Sequence, residues 1–185
     1  GYPKHRQKYH HEILECLLEE PFNSFYSIEK YMLDQNSVGK LLSNLTLDEL
    51  PFTIDILISY YRECQGEENP IPPWFPQLCG DLLTNEISTF IDDTDVSDYC
   101  GNYDINKLIN ESSKTSHFGF EFDEESVVDT VEDWICEDIN NEINDKLSFL
   151  DPCILECIDM PDEFDIDRNE IEKVVRSHFE PDDDY

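Results

Sequence analysis

Carboxylates are the reactive groups this sequence has in quantity. Between residues 121 and 145 it places acids at 121, 123, 124, 125, 129, 132, 133, 137, 138, 142 and 145, with no Lys or Arg among them. Over the same stretch Val128, Val131, Ile135, Ile139 and Ile143 recur in steps of three and four, with Trp134 beside them. That period predicts an amphipathic helix, one face apolar and the other nearly all carboxylate. Like charges four apart destabilise an isolated helix by about 0.2–0.5 kcal/mol per pair. Burial of the apolar stripe must outweigh them.

Acids in such number raise the question of calcium. An EF-hand loop needs ligands at positions 1, 3 and 5, glycine at 6 and a bidentate acid at 12. Asp93, Asp95 and Ser97 supply the first three and Asp104 the last, but Asp98 stands where the glycine must be. Asp165, Asp167 and Asn169 begin a second such loop, which Glu170 and Arg176 spoil at positions 6 and 12. Both segments read as turns and helix caps. His5, His10 and His11 lie close together beside Glu12, but neighbours on a helix diverge by about 100° and chelate poorly. No metal and no cofactor is expected.

Nucleophilic catalysis needs a Cys or Ser, a His and an orienting acid. Cys79-Gly80 and Cys100-Gly101 offer nucleophiles, and His117 and His178 offer bases, but no spacing joins them. G-x-S-x-G, H-E-x-x-H and phosphate-cradling motifs are absent from the sequence. The chain is expected not to be an enzyme.

The whole composition points the same way. Of 185 residues, 44 are Asp or Glu and 12 are Lys or Arg, a formal charge of −32. The hydrophobic fraction of 39% and the aromatic fraction of 12% are nonetheless those of a chain with a core. Direct nucleic-acid binding requires Lys and Arg on phosphates, and between Glu63 and Asp145 the sequence has only Lys107 and Lys114. An anionic membrane surface is disfavoured on the same ground, and no apolar run reaches the about 20 residues a spanning helix needs. Seven cysteines, an odd number at irregular spacing without C-x-x-C, read as free thiols in a reducing compartment, cytoplasm or nucleus.

The elements that must position these groups follow from periodicity. Residues 7–19 and 24–33 read as helices, and a third, capped by Asn36 or Ser37, runs through Val38, Leu41, Leu42 and Leu45. Thr46 and Glu49 form a capping-box pattern ahead of the apolar run from Phe52 to Tyr61, the candidate central helix. Residues 65–77 hold Gly66, Pro70, Pro72, Pro73 and Pro76, an extended loop that carries Trp74 and Phe75. Helical spacing resumes over 78–91, and a polar stretch over 111–119 reads as a mobile connection. Beyond the acidic helix, residues 147–160 and a last segment capped by Asp167 or Asn169 read as helical. No strand ladder is evident.

The expected fold is therefore all-α: a compact bundle of seven to nine short helices. A single domain covers 1–179, with 65–77 as the place for a boundary between two lobes. An acidic tail covers 180–185. The expected function is a non-catalytic protein-protein interaction domain, a scaffold, adaptor or regulatory subunit. Its acidic surface would dock a basic protein or basic peptide segment. The candidate contact residues are Asp123, Glu124, Glu125, Asp129, Glu132, Asp133, Glu137 and Asp138, with Trp74, Phe75 and Trp134 as aromatic anchors if exposed. The alternative is a nucleic-acid mimic that occupies a nucleic-acid-binding protein. That would need two regular rows of acids, whereas docking needs an apolar groove bordered by acids.

Overall fold

Steps of three and four among apolar residues become helices wherever a polar cap opens them. A computed structural model describes residues 30–64, 71–116 and 119–179. The expected helix at 7–19, most of that at 24–33 and the tail at 180–185 lie outside the described residues. Within them the protein is all-α, with eight helices and one short hairpin. The chain divides into two units, the first comprising 1–88 and 146–160, the second 89–145 and 161–185. Residues 71–77 of the proline-rich segment belong to the first unit. No helix among the described residues is long and apolar enough to cross a membrane.

In the first unit, α1 (Gln35–Ser43) is capped by Asp34, whose side chain accepts from the Asn36 N–H at 3.1 Å and from the Ser37 hydroxyl at 2.9 Å. The cap thus falls before Asn36 and Ser37, which serve as donors to it. Next comes α2 (Leu50–Cys64), preceded by a turn in which the Thr46 hydroxyl donates to the Glu49 carboxylate at 3.1 Å. Leu50, Ile54, Leu57, Ile58 and Tyr61 are buried at steps of three and four, while Phe52, which falls off that stripe, is 62% exposed. The third helix, α3 (Phe75–Asp92), starts within the proline-rich segment. Asp151 caps the single-turn α7 (Pro152–Leu155), accepting from the Cys153 N–H at 3.0 Å, with Pro152 at the first helical position. Burial pushes the Asp151 carboxyl up, but hydrogen bonds from the Cys153 thiol and N–H and the Arg62 guanidinium outweigh it and hold the acid ionised below its ordinary range.

One buried polar bond ties this core together. The Tyr61 hydroxyl donates to the Met32 carbonyl at 2.5 Å, with both residues inaccessible to water. Phe75 packs edge-on against the Tyr61 ring at 5.0 Å. Tyr61→Phe is expected to keep the packing but strand the Met32 carbonyl, lowering unfolding free energy by about 1–3 kcal/mol in urea denaturation.

The second unit is built on α6 (Glu124–Leu147), most of which it contains. Val128, Val131, Ile135, Ile139 and Ile143 are all buried, as is Val127. Glu124 and Glu125 occupy its first turn and Lys146 its last, the arrangement the helix dipole favours. Before it lie α4 (Val96–Cys100), capped by Asp95 through the Ser97 N–H at 3.0 Å, and α5 (Ile105–Ser112). The last helix, α8 (Arg168–Phe179), packs on α4 and α5, with Ile171 and Val175 wholly buried. Asp167 accepts from the Glu170 N–H at 3.2 Å at its start.

The stretch expected as a connection, 111–119, overlaps regular structure at both ends: Glu111 and Ser112 close α5, and two short strands take up 113–116 and 119–122. Strands β1 (Ser113–Ser116) and β2 (Gly119–Phe122) pair antiparallel, Ser113 opposite Phe122 and Ser116 opposite Gly119.

Candidate functional site: an acidic groove on the second unit

Because α6 turns 100° per residue, its acids do not share one fate. Asp123 precedes the helix and accepts from the Ser126 N–H at 3.1 Å, so it is a cap. Glu124 accepts from Arg176 at 2.6 Å. Asp129 and Glu132 share the Arg168 guanidinium, at 2.7 and 2.6 Å. Asp138 accepts from the Tyr103 hydroxyl, and Glu142 from the Tyr99 hydroxyl at 2.9 Å. Burial, then the bond to a carboxylate, pushes both tyrosine hydroxyls far above their ordinary range, so they remain donors. Glu125, Asp133 and Glu137 are exposed and have no hydrogen-bond or ion-pair partner among the described residues.

Two of these open acids border a groove. It encloses about 570 Å³ and is lined by Glu132, Asp133, Cys136, Glu137 and Asn140 of α6 and by Pro161, Asp162, Glu163 and Phe164 of the segment that precedes α8. Asp133, Glu137, Asp162 and Glu163 are exposed, whereas Glu132, Cys136, Asn140, Pro161 and Phe164 are half-buried. The exposure pattern gives a carboxylate rim over half-buried Cys136, Pro161 and Phe164, with Glu132 and Asn140 beside them. Five carboxylates and no Lys, Arg or His line it. Burial and the nearby Glu132 and Asp133 push the Cys136 thiol up, keeping it protonated and weakly nucleophilic. No group of three or more His, Cys, Asp or Glu among the described residues is arranged to hold a metal ion.

The aromatic anchors fare differently. Phe75 is wholly buried in the first unit, so it belongs to the core and offers nothing to a partner. Trp74 is half-buried beside it, with ring centroids 6.1 Å apart. Trp134 is half-buried against Tyr103 at 5.3 Å. The aromatic that reaches the acidic groove is Phe164, which periodicity did not single out. The run Pro161-Asp162-Glu163-Phe164 does hold a turn former, two acids and an aromatic, but nothing in its spacing says that it faces α6.

No family model matches the chain, and neither the curated proteins nor the solved structures contain a match.

Proposed function

We propose that the protein is a non-catalytic interaction domain that seats a Lys/Arg-bearing segment of a partner protein in the groove between α6 and residues 161–164. The observation that carries this reading is the juxtaposition of five carboxylates with the half-buried Cys136, Pro161 and Phe164 in one concave site. A basic side chain has an ammonium or guanidinium for the rim and an apolar stem for the interior. Complementary charge speeds encounter and rejects acidic competitors, while the apolar contact supplies residence. The same negative field repels nucleic-acid phosphates and anionic lipid headgroups. Five free thiols among the described residues support residence in a reducing compartment. A nucleic-acid mimic needs two open rows of acids, and engagement of Glu124, Asp129, Glu132 and Asp138 within the chain leaves α6 less able to supply them.

Fluorescence anisotropy with a labelled Lys/Arg-rich peptide containing one leucine tests the proposal. Binding is expected at both about 50 and about 300 mM salt, weaker at the higher value, because screening acts on the rim but not on the apolar contact. Binding that vanishes at the higher salt, and that polylysine reproduces, would instead mark non-specific polyanion behaviour.

A further inference from the structure

We propose that Arg168 is a built-in counter-ion that sets how tightly the groove holds a basic partner, an inference that rests on the docking function above. Glu132 lines the groove and at the same time accepts from Arg168 Nη1 at 2.6 Å. The same guanidinium reaches Asp129 through Nη2 at 2.7 Å and Glu172 through Nε at 3.8 Å. One wall carboxylate of the groove is therefore already spoken for. A partner cation that approaches Glu132 has to share it with Arg168.

The helix that carries Arg168 cannot simply leave. Ile171 and Val175 of α8 are wholly buried, so α8 stays packed while the Arg168 side chain, 39% exposed, is the part free to reorient. The arrangement attenuates the groove without closing it. Arg176 provides the internal comparison. It lies two turns further along α8, pairs with Glu124 at 2.6 Å, and lines a separate cavity of about 340 Å³ with Glu124, Glu125, Val128, Arg168 and Glu172. None of the groove acids is its partner. Removing either arginine changes the net charge equally, and only one removal frees a groove carboxylate.

The test is peptide affinity of the full chain and of Arg168→Gln, Arg176→Gln, Glu132→Gln and the double variant Arg168→Gln/Glu132→Gln, each checked for folding by circular dichroism. Arg168→Gln is expected to bind the basic peptide about three- to fivefold more tightly than the parent, a gain typical of releasing one partly exposed ion pair. Arg176→Gln is expected to give a smaller gain, and Arg168→Gln no more than that smaller gain in the Glu132→Gln background. Arg168→Lys, which keeps the charge but loses the fork that spans Asp129 and Glu132, is expected to fall between. Equal gains from Arg168→Gln and Arg176→Gln, or a full gain without Glu132, would overturn the role of Arg168 while leaving docking intact. Failure of the parent chain to bind the peptide would overturn the docking function and this inference together.

Discussion

Asp133→Lys/Glu137→Lys is expected to lower affinity for the basic peptide by about a hundredfold, since it turns two attractive charges at the groove rim into two repulsive ones. Both residues are exposed and make no hydrogen bond or ion pair among the described residues, so neither side chain anchors the fold. The matched control is Asp92→Lys/Asp93→Lys. These two acids are also exposed and do not line the groove, and their reversal changes the net charge by the same amount. A general field effect would weaken binding equally in both variants. A local site weakens it mainly in the first, and the difference persists at higher salt. Isothermal titration of the two variants at equal ionic strength reads this directly.

The largest expected effect on stability lies in the first unit, at Gly80. A Cβ placed there would sit 2.4 Å from both the Cβ and the carbonyl oxygen of Cys157 and 2.7 Å from its carbonyl carbon. Two of those atoms are backbone, so no rotamer change relieves the contact. Glycine is required here for close approach of α3 to the residues after α7. Gly80→Ala is expected to cost about 3 kcal/mol in urea denaturation, at the upper end for overpacked sites, and Gly80→Val more. Gly39 is the opposite case. The nearest atom to its added Cβ is Leu78 Cδ1 at 3.8 Å, an ordinary contact, and it lies inside α1. Gly39→Ala is expected to stabilise by about 0.5–1 kcal/mol through helix propensity. Equal responses at the two glycines would contradict this packing.

The difference between these sites also shows what the sequence makes legible. The stripe Val128, Val131, Ile135, Ile139 and Ile143 is readable because a helix imposes its period on whichever residues it buries, and all five are buried. The core of α2 is readable for the same reason, except that an unbroken apolar run conceals which members point outward; Phe52 is one that does. Caps are legible only to within a residue or two, since Asp34, Asn36 and Ser37 all carry suitable side chains and the nearest acid takes the acceptor role. The hairpin has a signal in Phe118-Gly119-Phe120-Glu121-Phe122, where aromatics alternate with Gly and Glu. The adjoining helical period of 124–147 overshadows it.

The site is less legible than the fold, for a physical reason. Which carboxylates of α6 stay open depends on which cations and hydroxyls arrive from elsewhere. Arg168 is 36 residues from Glu132, Arg176 is 52 from Glu124 and Tyr103 is 35 from Asp138. No local spacing encodes such pairings. The eight acids from Asp123 to Asp138 look alike in sequence, yet they divide into a cap, ion-pair partners, a tyrosine acceptor and open groups. Phe164, brought beside them by the tertiary fold, lines the groove, whereas Trp74 and Phe75, anchors expected if exposed, do not.

The most direct test of docking is amide chemical-shift mapping of the intact chain as the basic peptide is titrated in at about 150 mM salt, where screening length is about 8 Å. Docking in the groove predicts saturable shifts concentrated at residues 132–140 and 161–164, with little change at Asp92, Asp93 or Asp98. Small, non-saturating shifts spread over acidic residues throughout the chain would contradict it and leave the charge without a specific site.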